Sequence, residues 1–443
     1  MSTWAGISTA LSSLRTQRVA IDVAGQNIAN VNTPGYVRQR VDMTAGIGVD
    51  VSAIQRLHNG VLGDRARSEN AQLQDLSAAS TVLGEIEEVF PEPTPFGLQA
   101  KLDALWGGFS DVARDPGNSA ARVQVLAQAN GVTDWLNNAA TELGDLKTNK
   151  SAALTDLVTT VNAYSKELSE LNVAVSQSVA NTQAANALLD RRGYVADQLA
   201  AAVGGSFLTN DANQLSVTLG GGTIVGPSTY ATLQVASSGG TTSLQWVSDS
   251  STATVSSGTA NGYLTAINTT VDSWTTTLNA VASAITTQVN AVQTTDAYDR
   301  DGNLGNSLFT GTTAATISVA LTDGDDIAAS GVAPAGGNAS LDGTKADAMA
   351  AIAIAANGPD ELYQDLVVSL GFAVQAAEQS AATQGSLASS LSSQIDAESG
   401  VSIDEEMANL LAYQRAYEAA ARVLTAIDAA LETLINRTGV VGR

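Results

Sequence analysis

The chain has 443 residues, no cysteine, and 44 acidic against 21 basic residues, which gives a formal net charge of −23 at pH 7. This acidity excludes nucleic acid as a partner, because phosphate binding requires a basic face. The absence of cysteine excludes disulfides and thiol chemistry, and the length suffices for about three domains with sizeable cores.

No apolar run reaches the roughly 18 residues that a membrane-spanning helix needs, so we expect no membrane partner. Arg15, Arg18 and Asp22 interrupt the apolar residues near the start of the chain. A secretory signal peptide has an uninterrupted apolar block there instead. Taken alone, these features predict a cytoplasmic protein.

The first predicted helix runs from about Ser2 to Asn30 and ends at a turn containing Pro34 and Gly35. Its apolar residues recur at alternating steps of three and four, the spacing of a coiled-coil seam. This stripe contains Trp4, Ile7, Leu11, Leu14, Ile21 and Ile28 and is interrupted at Arg18 and Gly25.

A succession of helices is predicted after a short extended passage over residues 37–51. The prolines at 91, 93 and 95 indicate a stiff linker between the first two of them. Apolar residues at helical spacing then indicate several long helices, which favour an elongated bundle. The predicted helices cover residues 59–88, 98–115, 119–143 and 154–175.

The composition changes between residues 204 and 262, where glycine, serine and threonine dominate and the charged residues are Asp211 and Asp249. Short alternating segments at 214–219, 232–235 and 244–247 predict the strands of a small β domain. The alternative is a low-complexity disordered linker. Further strands and loops are predicted within 301–338, and helices return at 264–292 and from 346 onward.

The last helix carries the most complete set of signals in the chain. Ser402 and Glu405 have the spacing of a capping box, and a stop is predicted at Gly439. Its seam has the same three-four spacing as the first helix. The apolar residues that we assign to the interface of this helix are Met407, Leu410, Leu411, Tyr417, Leu424, Leu431 and Leu434.

Periodicity alone leaves two arrangements of the terminal helices open. Each stripe could pack separately onto a globular core, or the two helices could pack against each other. In the second arrangement the chain leaves through helices, turns in a β region and returns through helices.

Three parts of the sequence carry a resemblance to a known family. Residues 29–39, Ala-Asn-Val-Asn-Thr-Pro-Gly-Tyr-Val-Arg-Gln, resemble the motif that ends the first helix of flagellar rod, hook and hook-associated proteins. Residues 402–423 are similar to the closing helix of the same proteins, and the motif turn comprises Asn30, Thr33, Pro34, Gly35 and Tyr36. Within the family, residues 102–109, 114–122 and 188–192 are similar to the hook-associated members.

The resemblance implies a mainly α protein with a smaller β-rich domain. It implies an elongated molecule whose N- and C-terminal helices pair as a coiled coil, beside a long helical bundle and an outer β domain. The terminal domain would combine residues 1–40 and 402–443, and the helical rod would combine 41–203, 263–300 and 340–401. The β-rich domain would be 204–262, either alone or together with 301–339.

The resemblance also implies a structural subunit of the junction between hook and filament, secreted without a cleaved signal through the flagellar export apparatus. Its implied partners are the hook protein, the second hook-associated protein, further copies of the chain, and an export chaperone on the C-terminal helix. A hook or distal rod protein of the same family is the nearer alternative. An extracellular adhesin on a helical stalk is the alternative from another class.

The residues offer little for catalysis, and we expect neither an enzyme nor a cofactor. His58 is the single histidine, so a Ser-His-Asp arrangement can draw on no other, and zinc spacing is absent. The segment from Asp299 to Thr310 has a partial calcium-loop pattern, but Leu304 occupies the glycine position and Thr310 the position of the glutamate. A plain turn is the interpretation we adopt.

A free-energy comparison suggests that the terminal helices do not form a stable pair alone. Sixteen buried side chains would contribute about 25 to 50 kcal/mol. Ordering some sixty residues costs about 1 to 2 kcal/mol each. We therefore predict that these helices are mobile in the monomer and become ordered when neighbouring subunits cover them.

Overall fold

A computed structural model describes residues 3–180, 182–333 and 341–437. The fold is mainly α with smaller antiparallel sheets, as predicted. The helices in chain order are α1 (Thr3–Ala29), α2 (Gly60–Val89), α3 (Leu98–Arg114), α4 (Ser119–Gln177), α5 (Gln183–Val203), α6 (Thr259–Thr265), α7 (Val271–Thr294), α8 (Thr344–Ala350), α9 (Pro359–Ser399) and α10 (Ile403–Arg437). The predicted stop at Gly439 lies outside the described residues.

The strands form hairpins and one three-stranded sheet, all antiparallel. They are β1 (Gln39–Gly46), β2 (Gly48–Arg56), β3 (Ser206–Thr209), β4 (Leu215–Leu219), β5 (Gly222–Val225), β6 (Leu233–Ser238), β7 (Thr241–Trp246), β8 (Phe309–Thr310) and β9 (Ser318–Val319). The order of the larger sheet is β3-β4-β5, and the pairs are β1-β2, β6-β7 and β8-β9. The segment 214–247 therefore contains four strands, β4 to β7, which is the first of the two alternatives above.

Helix α4 is one continuous helix, whereas the sequence predicts two separate helices over the same region. The segment between them lacks an apolar seam, but it contains no proline and its lysines are paired with neighbouring helices. Lys147 Nζ lies 2.7 Å from Asp272 Oδ1 of α7, and Lys150 Nζ lies 2.6 Å from Glu85 Oε2 of α2. These ion pairs join the middle of α4 to α7 and α2. Apolar periodicity cannot predict them, because they involve charged side chains.

A first apolar core joins α3, the first half of α4, α7, α8 and the first half of α9. Residues of the segment after α7 belong to the same core, including Phe309, Ile317 and Ile327, each at most 1% exposed. The described part of 301–339 therefore packs with helices. It does not extend the sheet of β3 to β5.

A second apolar core joins the remainder of α4 and α5 to strands β4 to β7. Val217, Leu219 and Ile224 on the strands are in the same cluster as Leu154 and Leu199 on the helices. Apolar packing thus crosses position 203, where the sequence places a boundary between a helical and a β-rich domain. The division into three domains remains a prediction.

Asparagine amides on the helices attach the strands to this core. The side chain of Asn162 on α4 accepts from the backbone N–H of Leu233 at 2.8 Å and donates to the same residue's carbonyl at 2.9 Å. Asn172 does the same to Leu215 at 3.0 and 2.7 Å. Since buried backbone groups must be paired, each amide satisfies backbone groups that no neighbouring strand pairs.

Hairpin β1-β2 lies along α1. For residues 37–51 the sequence predicted only a short extended passage. Ser12 Oγ and Thr16 Oγ1 on α1 each donate to the carbonyl of Val49 at 2.6 Å. The register pairs Gly46 with Gly48, so Ile47 forms the tip. Among the described residues, no helix combines the length and the apolarity needed to cross a membrane.

The amide clamp on β4 predicts a local loss of stability when it is removed. Replacing Asn172 with alanine leaves the buried N–H and carbonyl of Leu215 unpaired, so local opening of β4 should become about 2 to 3 kcal/mol easier. Hydrogen exchange measures this as a faster rate for the amides of residues 215–219.

The matched control is Ser176→Ala on the same helix, whose hydroxyl makes an exposed bond to the carbonyl of Val173. This change should leave exchange in β4 unaltered. Equal rates for the two variants would contradict the clamp.

Candidate assembly interface at the paired chain ends

Helices α1 and α10 pack against each other in antiparallel orientation. A Cβ added at Gly6 would lie 3.0 Å from Ile427 Cδ1, and Asn27 Nδ2 donates to Glu406 Oε2 at 3.0 Å. Asn27 follows Gly6 by 21 residues, and Ile427 follows Glu406 by 21 residues. This separation equals three heptads on both helices, so the register of a coiled-coil pair is maintained over about 30 Å.

Small residues form the seam within one chain. Ala10, Ala20 and Ala24 of α1 are at most 3% exposed, and Ala420 is 8% exposed on α10. The predicted apolar stripe lies one residue further along α1, and one residue rotates a helix by about 100°. The predicted seam was thus out of phase with the observed one.

The predicted interface residues lie at the edge of this seam or outside it. Trp4 is 78% exposed, Met407 52% and Leu411 50%, so these three side chains are not buried in the seam within one chain. Leu11, Tyr417 and Leu434 are exposed as well. The partly buried ones are Ile7, Leu14, Ile21, Ile28, Leu410, Leu424 and Leu431. Whether they contact neighbouring subunits stays a prediction.

The hairpin completes a three-part assembly that we call the terminal unit, comprising α1, β1-β2 and α10. Its small apolar cluster contains Ala20 and Val23 of α1 and Val41 of β1, with Tyr413 of α10 packed against them. Apolar residues alternate on both sides of the Gly46-Ile47-Gly48 segment, with Val41 and Met43 before it and Val49 and Val51 after it, and this is a hairpin signal. That signal could have identified β1 and β2 in the sequence.

The motif turn is built around a glycine that no other residue can replace without strain. Tyr36 N–H donates to the carbonyl of Thr33 at 3.1 Å, and Thr33 Oγ1 lies 3.1 Å from Asn30 Oδ1. Gly35 has φ of +78°, and a Cβ there would lie 2.7 Å from Tyr194 Cβ on α5. The turn therefore requires both a left-handed backbone and close contact with α5. Pro34 lines the cleft between the turn and α5.

A buried carboxylate joins the two chain ends. Glu406 on α10 is 4% exposed and accepts hydrogen bonds from Asn27 and Arg38. Arg38 Nη2 lies 2.7 Å from Glu406 Oε1, and Nη1 donates to Glu405 Oε2 at 2.9 Å. Asn27 Oδ1 in turn accepts from the Tyr36 hydroxyl at 2.7 Å and from Gln39 N–H at 3.0 Å. We call these residues the polar node.

The node raises the pKa values of Arg38 and Tyr36. Burial lowers the pKa of Arg38, but the hydrogen bonds and charges of Glu406 and Glu405 outweigh it, so the net shift is upward. Burial, assisted by the negative charges of Asp190 and Glu406, raises the pKa of Tyr36 to about 12. Arg38 thus remains charged and Tyr36 remains a hydrogen-bond donor at any physiological pH.

The predicted capping box has a second role. Glu405 N–H donates to Ser402 Oγ at 3.4 Å, which is the expected first half of the box. The Glu405 carboxylate, however, accepts from Arg38 and so contributes to tertiary structure. The sequence pattern predicted no tertiary contact for Asn27, Arg38 or Glu406. Arg38 lies within the family motif and Glu406 within the closing helix, which was the available signal.

Helix α5 and the end of α9 attach the terminal unit to the rest of the chain. Asn186 Nδ2 donates to Gln39 Oε1 at 3.1 Å and to the carbonyl of Ile54 at 2.8 Å. Arg56 Nη2 lies 2.7 Å from Asp190 Oδ1, and Arg38 N–H donates to the carbonyl of Ser399. Asp190 belongs to the 188–192 segment that carries the resemblance. The terminal unit is therefore connected to α5 and α9 through polar contacts.

The candidate chemical sites lie outside this unit's seam. His58 lies in the loop between β2 and α2, where burial and the charges of Arg56 and Arg67 lower its pKa. Both carboxylate oxygens of Asp299 are bonded to Asn303, which closes a tight turn. Within the described ranges, no group of three or more His, Asp and Glu side chains is positioned to hold a metal ion.

The polar node predicts that the two neighbouring glutamates are not equivalent. Glu406→Ala leaves Arg38 and Asn27 buried without their shared acceptor, so opening of the α1–α10 pair should become about 3 kcal/mol easier. The Glu405 side chain is 63% exposed, and Glu405→Ala should cost less than about 1 kcal/mol. Hydrogen exchange in residues 10–27, measured in the assembled state in which neighbouring subunits order the helices, distinguishes the two variants. Equal acceleration in both variants would argue against the node.

A second prediction concerns alkaline pH. The folded state holds the Tyr36 proton to about pH 12, whereas the unfolded tyrosine ionises near about 10. Stability from this hydroxyl is therefore complete below about pH 10 and is lost as the pH rises towards 12. The stability advantage over Tyr36→Phe, measured by urea unfolding, should be constant from pH 7 to 9 and shrink above 10. An advantage that stays constant to pH 12 would refute the assignment.

Comparisons with known proteins match the whole chain. The sequence model of the "Flagellar hook-associated protein FlgK helical domain" matches residues 83–309. Models described as "Flagella basal body rod protein" and "Flagellar basal body rod FlgEFG protein C-terminal" match the ends, at residues 7–36 and 393–437. The ends are thus shared with rod-type proteins, and the helical interior distinguishes the hook-associated branch from the hook and rod alternatives.

Relatives with the same name cover different shares of the chain. Flagellar hook-associated protein 1 of Bacillus subtilis is 26% identical over the full length of both chains. The Escherichia coli protein of that name is 24% identical over 49% of this chain and 42% of its own length. The hook junction protein FlgK of Burkholderia pseudomallei has the same fold, with a TM-score of 0.65 at 16% identity over 75% of this chain and 99% of that one.

Proteins of this kind are structural components of the bacterial flagellum, not enzymes, and they assemble with hook and rod proteins and with themselves. The matched helical domain covers half of the chain, between terminal segments of the flagellar axial type. The chain belongs to the FlgK family of flagellar hook-associated proteins.

Proposed function

We propose that this chain forms the junction between hook and filament by assembling through its terminal unit. The observation that carries the proposal is the distribution of side-chain size in the α1–α10 pair. Small residues close the pair within one chain, whereas Trp4, Met407 and Leu411 are about half or more exposed. Large apolar side chains in that position favour burial against another protein surface.

The distribution of charge supports the same surface. Residues 1–58 and 401–443 together contain nine arginines and nine acidic residues, so this part of the chain is formally neutral. Residues 59–400 contain 12 basic and 35 acidic residues and carry the whole charge of −23. Since like charges repel, close packing of copies is favoured where the net charge is zero.

The proposed partners follow from this surface and from the family. They are the hook protein, the second hook-associated protein and further copies of the chain, in the extracellular part of the flagellum. An export chaperone would cover the exposed face of α10 before secretion, since Met407 and Leu411 otherwise present apolar area to water. Passage through the flagellar export apparatus is part of the same proposal.

The order of the terminal helices before assembly is a separate prediction. The apolar cluster inside the terminal unit has only three buried members among the described residues, so the packing free energy of the pair is small. Amide exchange of residues 4–28 and 407–434 in the isolated monomer should be fast and should slow down by orders of magnitude in flagella. Strong protection in the monomer would contradict the prediction.

The assembly surface is tested by a charge introduced on the exposed face. Leu411→Glu places a carboxylate where a neighbour is expected, and burial without a partner costs several kcal/mol. Because the same face is proposed to bind the export chaperone, secretion of the variant is measured first. The secreted variant should fail to retain filaments, as measured by the fraction of hooks that carry an attached filament.

The control is Leu208→Glu on strand β3, since Leu208 is 67% exposed and lies outside the terminal unit. It should support normal filament attachment. Normal attachment in the Leu411 variant would contradict the proposed surface.

A further inference from the structure

A cleft of about 730 Å³ lies between α5 and the motif turn. Its volume falls within the range of roughly 300 to 1,000 Å³ that is usual for ligand sites. One face of α5 forms its floor, because the lining residues of that helix recur at steps of four and three. These residues are Gln183, Ala187, Asp190 and Tyr194, and they lie opposite Pro34 and Tyr36.

A buried carboxylate oxygen borders this cleft without a partner. Asp190 is 7% exposed, and its Oδ1 accepts from Arg56 Nε at 2.8 Å. Its Oδ2 is buried and accepts no hydrogen bond from the residues that the structure describes. Burial raises the pKa of this carboxyl, while Arg56 and the backbone of Val37 lower it in part. Because a buried charge is stabilised when its remaining lone pairs are bonded, Asp190 favours a donor in the cleft.

The charges around the cleft favour a cation over an anion. Burial, together with the negative charges of Asp190 and Glu406, raises the pKa of Tyr36 on the wall. Arg191 also lines the cleft, but its Nε lies 2.6 Å from Glu167 Oε1, which balances its charge. A positively charged donor is therefore attracted to Asp190.

The geometry of Asp190 distinguishes between the two common cationic side chains. A guanidinium binds a carboxylate best through two parallel hydrogen bonds, which need both oxygens. Arg56 already occupies Oδ1, from Nε at 2.8 Å and from Nη2 at 2.7 Å. A primary ammonium is a compact point charge with rotatable donors, so one oxygen is sufficient for it. The cleft therefore suits lysine better than arginine.

A second unpaired atom indicates what accompanies the ammonium. Gln183 Nε2 is buried and has no hydrogen-bond partner within the described ranges. Gln183 precedes Asp190 by seven residues, which corresponds to two helical turns or about 10 Å. A lysine residue carries both matching groups, an ammonium on a long apolar stem and a backbone carbonyl. The carbonyl is available for this bond when the segment is extended, since a helix would use it internally.

We propose that this cleft binds an extended segment of another protein through one lysine side chain. The ammonium donates to Asp190 Oδ2, the stem lies over Ala187 and Pro34, and the backbone carbonyl accepts from Gln183 Nε2. This contact uses none of the exposed apolar residues of α1 and α10. It goes beyond the proposed function, because it defines a polar contact that selects its partner by a lysine.

Carbodiimide treatment of isolated flagella tests the contact in the assembled state. The reagent joins a carboxylate directly to an amine with loss of water, so mass spectrometry should recover Asp190 in an amide with a lysine of another protein. Lys166 Nζ lies 3.8 Å from Glu170 Oε1 on an exposed face and provides the internal positive control. The Lys166–Glu170 product without an Asp190 product would overturn the proposal. Asp190 products with lysines of this chain alone would also overturn it.

Competition with short peptides tests the predicted chemistry without altering the protein. An excess of acetyl-Ala-Lys-Ala-amide should reduce the Asp190 product roughly tenfold relative to the Lys166–Glu170 product, because it offers the same ammonium. The arginine and norleucine analogues should change this ratio by less than about twofold. Equal competition by the arginine peptide would contradict the geometry. Capture of the lysine peptide in flagella that give no product with another protein would assign the site to free amines and overturn the partner.

A matched pair of substitutions tests the position of the contact. Ala187→Phe fills the cleft and should abolish the Asp190 product, while the ion pair between Arg56 and Asp190 stays in place. Ala163→Phe adds the same ring at an exposed position of α4 outside the cleft and should leave the product unchanged. Equal yields from the two variants would overturn the proposal and leave the junction function intact. If Ala187→Phe does not enter flagella, the peptide competition in wild-type flagella decides.

Discussion

The buried carboxylate of Glu406 determines how the two ends of the chain meet. A buried charge is tolerated when hydrogen bonds and an opposite charge compensate its lost hydration. Arg38 and Asn27 provide this compensation from the opposite end of the sequence. A shift of α10 by one turn would separate Glu406 from both Arg38 and Asn27 and leave its carboxylate buried without these partners. The register of the pair is therefore specified by polar contacts, much as a single buried polar residue fixes the register of a coiled coil.

Different residues therefore set the register of the α1–α10 pair and provide the apolar surface for association with other subunits. The alanine seam brings α1 and α10 close together but buries little apolar area, since alanine side chains are small. The larger side chains of the same helices face outward. A pair that is correctly registered but weakly packed suits a subunit that must reach its site before it polymerises. Association then supplies the apolar burial that the monomer lacks.

The sequence predicted the type of most elements, because long apolar periodicities and glycine-separated alternations are strong signals. It also predicted the pairing of the two terminal helices, but only with the resemblance carried by residues 29–39 and 402–423. The phase of the seam was missed because large apolar residues such as Trp4 and Leu11 dominate a hydrophobic pattern. Close helix packing instead selected Ala10 and Ala24. The partners of Arg38 were also not predictable, since they are over 360 residues away.

Asparagine side chains on the helices help to attach residues 204–262, a segment in which glycine, serine and threonine dominate. Asn162 and Asn172 bind the backbone of their strands, and Asn27 binds the backbone of Gln39 in the same two-bond manner. A contact with the backbone does not depend on which side chain the strand residue carries. The strands can therefore contain glycine, serine and threonine at many positions and still be held in register. The same pair of hydrogen bonds connects β1 to α1. In the terminal unit as in the rest of the chain, an asparagine side chain thus pairs strand backbone groups that no neighbouring strand covers.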